Sequence, residues 1–291
     1  MQHPGEQYPV PPLEEQQEIA HPGTTAELVS APDHGERTYR GSGRLQDRRA
    51  LVTGGDSGIG RAIAIAFARE GADVVLAYLD EDEDARQTAE LVEEAGRRAV
   101  CVPGDVREEA FCRQLVDTTV SELGGIDILV NNAAYQHLEP GGIADISTEQ
   151  FDRVMKTNLY ALFWLSKFAV AEMRPGSTIV NTTSIQAANP SPGLLDYATT
   201  KAGIVDFTKG LASDVADRGI RVNAVAPGPI WTPLIPATMP KDAYAQFGKD
   251  VPLGRPGQPA ELAPAYVFLA SQESSYITGE TIAVTGGVPF T

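Results

Sequence analysis

Short apolar runs alternate with longer segments of helical periodicity from residue 48 to the end of the chain. The runs are rich in apolar and β-branched residues and too short for helices, so they favour buried β-strands. We predict strands at residues 50–53, 73–78, 99–102, 126–130, 178–181, 221–224 and 281–284. The regular alternation is typical of βαβ units, which build a parallel sheet.

Amphipathic helices are predicted between these strands. After the first strand, Ile59 and Ile63 recur at helical spacing with Ala66 and Phe67, so one helical face can pack on the sheet. Further helices are predicted at residues 83–95, 107–122, 148–173 and 195–217. They cover both sheet faces, so we expect an α/β fold with a doubly wound parallel sheet between two layers of helices.

The N-terminal segment differs in composition from the rest of the chain. Residues 1–43 contain six prolines and several glutamines and glutamates, without a periodic apolar pattern. We predict an N-terminal extension of residues 1–43, followed by one domain of residues 44–291. The extension is expected to be disordered in isolation, with docking on a neighbouring subunit through Tyr8, Val10 and Leu13 as the alternative.

Prolines also interrupt the alternation near the C-terminal end. Repeated prolines between residues 227 and 259 predict a loop that covers a substrate at the C-terminal edge of the sheet. Pro264 lies inside the next helical pattern, so that helix is expected to start late or to be kinked.

The composition excludes several functional classes. The formal net charge of −16 disfavours nucleic acids and acidic proteins as partners, because binding them requires a basic surface. No apolar run approaches the roughly 18 residues of a membrane span, and no signal peptide is evident, so we expect a soluble, cytoplasmic protein. Cys101 and Cys112 lack the spacing of a metal site or a disulfide framework. We therefore expect no metal, and both thiols should be buried or half-buried.

A glycine-rich turn, TGGDSGIG at residues 53–60, joins the first strand to the first helix. Gly54 permits a tight turn, Gly58 permits close approach of a pyrophosphate, and Gly60 permits close contact between helix and strand. The helix N-terminus then faces the phosphates. Such a turn can be purely structural, but its place between the first strand and the first helix favours a dinucleotide site.

Acidic residues follow the second strand, where the adenosine ribose is expected. Asp80, Glu81 and Asp82 would repel a 2′-phosphate, whereas a 2′-hydroxyl can donate a hydrogen bond to a carboxylate. Neither Asp56 nor Ser57 offers the positive charge that favours NADP. NAD is therefore the expected cofactor, with NADP as the alternative, because the same acids also suit a solvated helix start.

Three polar side chains are predicted near the C-terminal edge of the sheet. Ser184 follows the strand at 178–181, and Tyr197 and Lys201 occupy positions i and i+4 of the next helix. That spacing places the phenol and the amine on one helical face, so both can act on one bound molecule. A Tyr-xxx-Lys pair alone is more often structural, and its value depends on the accompanying motifs.

Several motifs occur in order along the chain: TGGDSGIG, NNAA from Asn131, Asn158, Ser184, Tyr197-xxx-Lys201 and PGPIWT from Pro227. This combination resembles the short-chain dehydrogenase/reductase family over about residues 45–287. It is most similar to bacterial general-stress oxidoreductases and glucose/ribitol dehydrogenase homologues, which share the proline-rich leader and the GGDSGIG loop. The resemblance implies a Rossmann-type domain, usually assembled as a homotetramer, that transfers a hydride between a nicotinamide cofactor and an alcohol or carbonyl carbon.

The resemblance also implies roles for individual residues. Catalysis is expected of Asn158, Ser184, Tyr197 and Lys201. The cofactor is expected to contact Gly54, Asp56, Ser57, Gly58, Ile59, Gly60, Tyr78, Leu79, Asp80, Asp105, Val106, Asn131, Ala133, Tyr197, Lys201, Pro227, Gly228, Ile230 and Thr232. Ala134 departs from the family's usual glycine, which affects only local backbone shape. His137 could face the substrate, but a surface position is the better expectation.

The chemistry of these residues is consistent with the resemblance. A phenol with a pKa near 10 is a poor base at neutral pH. The ammonium of Lys201 is expected to lower the pKa of Tyr197. A unit charge about 4 Å away, at an effective dielectric constant near 20, stabilises the phenolate by at most roughly 4 kcal/mol, which corresponds to about three pK units. Ser184 can polarise the substrate oxygen. Asn158 lies on the apolar stripe of its helix, so its amide must find hydrogen-bond partners. In the family, this asparagine belongs to a water-bridged proton relay to the lysine. The alternative is a structural asparagine that bonds to nearby backbone.

Three other functions fit parts of this pattern. A dinucleotide-binding scaffold or redox sensor needs only the glycine-rich turn, so the full catalytic set argues against it. A reductase of acyl thioesters on a carrier protein needs a basic docking patch, which the acidic composition disfavours. Sugar-nucleotide epimerases share Tyr-xxx-Lys but have a different glycine spacing and a longer substrate domain. The expected substrate is a polyol, a sugar or a small aldehyde, selected by residues 135–143, 185–195 and 230–255.

Overall fold

The computed structural model describes Tyr8 and residues 10–291. Its strands are β1 (Arg49–Thr53), β2 (Asp73–Tyr78), β3 (Ala99–Pro103), β4 (Ile128–Asn131), β5 (Thr178–Thr182), β6 (Arg221–Pro227) and β7 (Thr281–Val284). They form one sheet in the order β3-β2-β1-β4-β5-β6-β7, and every pairing is parallel. The chain order reverses between β1 and β4, which opens a crevice at the C-terminal edge where ligands bind in such sheets. The predicted parallel sheet is confirmed.

Helices cover both faces of the sheet, as predicted. They are α1 (Gly58–Arg69), α2 (Asp82–Glu94), α3 (Glu109–Leu123), α4 (Thr148–Met155), α5 (Ala161–Glu172), α6 (Leu195–Val215), α7 (Leu234–Thr238), α8 (Lys241–Tyr244) and α9 (Pro259–Ala270). Consecutive side chains of a strand point to opposite faces, so adjacent Leu51 and Val52 belong to separate apolar cores. The core around Val52 includes α1 and α9, and the core around Leu51 includes α3, α5 and α6.

Residues 228–258, which we call the lid, connect β6 to α9 and include the short helices α7 and α8. The prolines predicted a loop, and short helical turns instead fill part of it. The expected late start of the following helix is wrong. α9 begins at Pro259 and continues through Pro264, because a proline needs no N–H partner at the first helical position. Pro264 then removes one backbone donor without ending the helix.

The two cysteines lie in different environments. Cys112 is buried in α3, as expected. Cys101 is exposed, which corrects the expectation of a buried or half-buried thiol, because β3 is an edge strand.

The described part of the N-terminal extension packs on the domain of its own chain. Leu13 and Leu28 are buried with Trp231, Ile235 and Tyr244 of the lid. Disorder of the extension in isolation stays a prediction, but the sequence did not predict docking on the same chain. The reason is that scattered leucines of the extension each meet apolar lid residues that are distant in sequence. Within the described residues, no helix is both long and apolar enough to cross a membrane.

Candidate active site

A cavity of about 500 Å³ opens at the C-terminal edge of the sheet, where the loops after β1 to β6 converge. The predicted site residues on its wall are Gly54, Asp56, Ser57, Gly58, Ile59, Tyr78, Leu79, Asp105, Val106, Ala133, Ser184, Tyr197, Lys201, Pro227, Gly228, Ile230 and Thr232. The predicted residues Gly60, Asp80, Asn131 and Asn158 lie off this wall. The structure therefore brings most of the predicted site together around one space.

The glycine-rich turn lies beside the cavity, and its backbone conformation requires glycine. Gly54 and Gly58 have φ angles of +63° and +51°, in the left-handed region that favours glycine. A Cβ atom on Gly60 would lie 1.7 Å from the carbonyl oxygen of Gly54, so only glycine lets α1 start this close to the turn. Thr53 Oγ1 accepts hydrogen bonds from two backbone N–H groups of the loop after β4, each at 3.0 Å. The N-terminus of α1 thus lies on the wall, where it can hold a phosphate.

Two carboxylates line the adenosine end of the cavity, which we define as the wall after β1 and β2. Asp56 is 4% exposed, and burial together with nearby Glu81 raises its pKa to about 7. Burial also raises the pKa of Glu81. Asp80, expected at the ribose, is exposed and off the wall, and Asp82 accepts a hydrogen bond from Tyr78 Oη at 2.8 Å. Of the three acids predicted near the ribose, Glu81 is therefore the one that lies on the cavity wall.

Tyr197 and Lys201 lie on the first turns of α6, and Ser184 follows β5 in an extended conformation. Lys201 is 2% exposed, and its Nζ donates a hydrogen bond of 2.9 Å to the carbonyl oxygen of Thr182. The same Nζ lies 5.3 Å from the centroid of the Tyr197 ring. The amine, the phenol and the hydroxyl therefore share one end of the cavity, which we call the catalytic end.

Burial controls the protonation of this group. It raises the pKa of Tyr197 to about 12, partly offset by a hydrogen bond with Ser184, and lowers the pKa of Lys201 to about 7. The expectation that Lys201 brings the pKa of Tyr197 close to neutrality is therefore not met in this structure. Loss of hydration disfavours the charged form of each group. At neutral pH the phenol stays protonated, which suits a proton donor.

Asn158 lies in a π-helical turn, Lys156–Tyr160, that joins α4 to α5. Such turns occur frequently at functional sites. The Asn158 amide accepts a hydrogen bond from Tyr135 N at 2.8 Å and donates to Tyr135 O at 2.9 Å and Thr200 Oγ1 at 3.0 Å. These bonds tie the loop after β4 to the helix that carries Tyr197.

A second cavity, of about 10 Å³, lies under the catalytic end and is lined by Asn131, Asn158 and Lys201 among others. Its volume suits about one water molecule. Asn131 was predicted beside the ribose, but its Nδ2 donates to Asn181 Oδ1 at 2.9 Å instead. In the described part of the chain, Asn131 Oδ1 is buried without a hydrogen-bond partner.

The predicted specificity segments supply further wall residues. They are Tyr135, Gln136, Ile185, Gln186, Asn189, Leu194, Pro233, Leu234, Ile235, Met239, Phe247 and Val251. His137 is exposed and off the wall, 3.9 Å from Glu139, in agreement with the expected surface position. Sequence reasoning missed Arg107, Arg153 and, most of all, His21 and Pro22 of the extension. No motif marks these residues, and only the apolar residues among the prolines of the extension could have indicated docking.

Comparisons with known proteins agree with this architecture. A family model described as enoyl-(acyl carrier protein) reductase matches residues 54–289. General stress protein 39 of Bacillus subtilis (strain 168) is 52% identical over 94% of this chain and 96% of its own length. NADPH-dependent aldehyde reductase 1, chloroplastic, of Arabidopsis thaliana is 44% identical over 94% and 97%. The glucose and ribitol dehydrogenase of Daucus carota is 44% identical over 94% and 95%.

A solved structure shows the same fold. A short-chain dehydrogenase from Burkholderia cenocepacia J2315 in complex with NADP is similar with a TM-score of 0.79 and 35% identity, covering 84% of this chain and 98% of that chain. The sheet, the glycine-rich turn and the Tyr-xxx-Lys helix had indicated the same relationship from the sequence. This chain belongs to the short-chain dehydrogenase/reductase family and is a nicotinamide-dependent oxidoreductase of alcohol and carbonyl groups.

Proposed function

We propose that this enzyme prefers NAD and transfers a hydride between the nicotinamide ring and an alcohol or carbonyl carbon of a polyol, a sugar or a small aldehyde. The supporting observation is that Ser184, Tyr197 and Lys201 share one cavity with the glycine-rich turn. A scaffold or redox sensor needs the turn but not a buried phenol and amine. The proposed substrate classes are those in the names of two relatives, an aldehyde reductase and a glucose and ribitol dehydrogenase.

The catalytic end carries the proton transfer. When bound, the cofactor supplies or accepts the hydride. In reduction, the protonated hydroxyl of Tyr197 donates a proton to the substrate oxygen, because its pKa lies well above neutral pH. Ser184, which is 7% exposed, donates a second hydrogen bond and stabilises the negative charge that develops on that oxygen. In oxidation the same groups act in reverse.

Lys201 is proposed to hold the cofactor and to support the phenolate. One of its N–H groups is occupied by the carbonyl oxygen of Thr182, so two donors remain for the hydroxyls of the nicotinamide ribose. Its charge stabilises the phenolate that forms after Tyr197 gives up its proton. Asn158 and Lys201 line the 10 Å³ cavity, and Asn158 is proposed to help position there a water that relays protons to Lys201, with Asn131 Oδ1 as an acceptor for that water.

The preference for NAD rests on the adenosine end. Asp56 and Glu81 line the cavity there, and neither the turn at 53–60 nor the segment 78–82 contains a lysine or an arginine. A 2′-phosphate at this position meets like charge, whereas a 2′-hydroxyl finds acceptors. The NADPH-dependent Arabidopsis relative and the NADP complex from Burkholderia point to the opposite preference. The proposed preference follows from Asp56 and Glu81, because both lie on the cavity wall of this chain itself.

A substrate screen with both cofactors tests the proposal. Aldehydes, sugars and polyols are offered with NAD(H) and NADP(H), and turnover is followed by the absorbance of the reduced nicotinamide. We expect turnover with at least one class and a higher kcat/KM with NAD(H). Tight cofactor binding without turnover would support the scaffold instead, and a higher kcat/KM with NADP(H) would refute the NAD preference.

A second candidate is reduction of an acyl thioester, favoured by the description of the matching family model. The net charge of −16 opposes it, because docking a carrier protein needs a basic patch. Including an unsaturated and a 3-oxoacyl thioester in the same screen separates the two candidates. We further propose, on the family resemblance alone, that the protein is a cytoplasmic homotetramer. Light scattering of the purified protein measures its mass and so tests the number of subunits.

A further inference from the structure

Residues 16–29 of the extension form a closed loop, which we call the leader loop. Its two ends are joined by the side chain of Gln16, which is 1% exposed. Gln16 Nε2 donates hydrogen bonds to Gln17 O at 2.8 Å and Glu27 O at 3.3 Å, and Gln16 Oε1 accepts from Val29 N at 2.8 Å. A buried amide satisfied in this way fixes the shape of the loop. One side chain therefore holds the leader loop closed.

The leader loop is anchored on two sides of the cavity. On the lid, Tyr244 Oη donates to Gln16 O at 2.9 Å, and Ile19 N donates to Pro236 O at 3.2 Å. On the opposite side, Thr25 N donates to Asp84 Oδ2 at 2.8 Å, in the first turn of α2. The lid follows β6 and α2 follows β2, and these strands lie on either side of the β1–β4 crevice. The loop therefore crosses above the crevice.

The tip of the leader loop reaches the cavity. His21 and Pro22 lie on the cavity wall. The His21 ring stands edge-on to Tyr135, with centroids 4.9 Å apart, and its Nδ1 accepts a hydrogen bond from Arg153 Nη2 at 3.2 Å. The Arg153 guanidinium in turn lies 3.8 Å from the centroid of the Tyr135 ring. The tip is thus fixed by packing and by a charge-assisted hydrogen bond.

His21 is a neutral contact at physiological pH. Burial and the nearby charge of Arg153 lower its pKa to about 4. Because Nδ1 accepts from Arg153, the ring hydrogen resides on Nε2. The imidazole therefore offers the cavity a neutral ring rather than a titrating charge.

The leader loop lies outside the part of the chain that the family model matches, which begins at residue 54. We propose that it is an added wall of the dinucleotide site: His21 and Pro22 contact the bound cofactor between its adenosine and nicotinamide ends, and the loop must move before the cofactor leaves. This rests on the nicotinamide site of the proposed function. It adds a cofactor-retaining role that the glycine-rich turn and the Tyr-xxx-Lys helix do not include.

The test measures cofactor binding without substrate. The dissociation constant and release rate of NADH are followed by nicotinamide fluorescence, with excess NAD as the displacing ligand. Gln16→Ala removes the amide that closes the loop, and His21→Ala removes the imidazole at its tip. Gln17→Ala is the matched control because the Gln17 side chain is exposed. We expect the first two variants to release NADH about tenfold faster and to bind it several-fold more weakly, with Gln17→Ala like the wild type.

The readouts distinguish this proposal from its alternatives. His21→Ala keeps the Gln16 closure and the lid contacts, so it remains informative if Gln16→Ala unfolds. Release rates within twofold of wild type in His21→Ala would overturn the proposal. A changed KM for the substrate with unchanged NADH binding would also overturn it and assign the tip to the substrate wall. If the wild-type protein binds neither NADH nor NADPH, the proposed function itself fails, and the leader-loop proposal fails with it.

Discussion

The adenosine end and the catalytic end of the cavity both bury ionisable groups, but of opposite sign. Burial raises the pKa of Asp56 to about 7 at the first end and lowers the pKa of Lys201 to about 7 at the second. One physical cause, the loss of hydration around the charged form, thus brings both groups close to neutral pH. At the adenosine end the result is a carboxyl group that can either accept a hydrogen bond from a hydroxyl or donate one to it. At the catalytic end it leaves Tyr197 protonated beside an amine.

The comparison teaches that the two ends serve different tasks through the same desolvation. In the proposed function, the carboxylates of the adenosine end select the cofactor without taking part in the reaction. In the proposed mechanism Tyr197 gives its proton to the substrate oxygen and must regain it in every cycle. Changes to Tyr197 or Ser184 should therefore reduce turnover with little effect on cofactor binding. Changes at the adenosine end should alter cofactor choice with little effect on the chemical step.

The largest expected effect is that of Tyr197→Phe. We expect kcat/KM to fall by about 10³-fold or more, because the proton donor is lost, while the dissociation constant for NADH stays within about twofold. Steady-state kinetics and fluorescence titration measure the two quantities. Tyr276→Phe, at a fully exposed tyrosine, is the control for the same change. Full activity in Tyr197→Phe would contradict the assignment of Tyr197 as the acid.

A smaller effect is expected from Glu81→Gln. Removing this charge from the cavity wall should raise the NADP/NAD ratio of kcat/KM by about tenfold, since less like charge opposes a 2′-phosphate. The ratio is measured with one substrate and both cofactors. Glu83→Gln is the matched control, because Glu83 is exposed and pairs with Arg86. An unchanged ratio in Glu81→Gln would remove the basis for the proposed NAD preference.

The third expected effect is on stability and not on kinetics. The folded state holds the pKa of Asp56 near 7, above its ordinary 3.8, so it binds more protons than the unfolded state between these values, and stability falls as pH rises through this window. Asp56→Asn removes that cost and should raise the free energy of unfolding by about 2–4 kcal/mol at pH 8, with the gain vanishing toward pH 4.

Urea unfolding at several pH values measures the stability gain. Asp80→Asn is its control, because this carboxylate is exposed and off the cavity wall. A gain that does not change with pH would mean that folding leaves the pKa of Asp56 at its ordinary value, which would contradict the raised pKa.

The sheet and most of the cavity could be predicted from the sequence because they depend on local patterns. Apolar runs identified the strands, and the spacing from Ser184 to Lys201 placed three side chains at one edge of a parallel sheet. Which of Asp80, Glu81 and Asp82 lies on the cavity wall could not be predicted, since it depends on how the chain turns after β2. The high pKa of Tyr197 likewise depends on burial in the folded cavity.

The extension was the least predictable region. Its contacts join single residues to a lid some 200 positions away, as in the hydrogen bond of 3.1 Å from Trp231 Nε1 to Ser30 O. Such contacts leave no periodic pattern in the sequence. The position of His21 on the cavity wall follows only from the fold.

A crystal structure of the enzyme with bound nicotinamide cofactor tests the central claim most directly. We expect the nicotinamide ring at the catalytic end, with its reactive carbon facing the space beside the Tyr197 and Ser184 hydroxyls, and the pyrophosphate at the N-terminus of α1. A nicotinamide ring bound away from the Tyr197 hydroxyl would contradict the account.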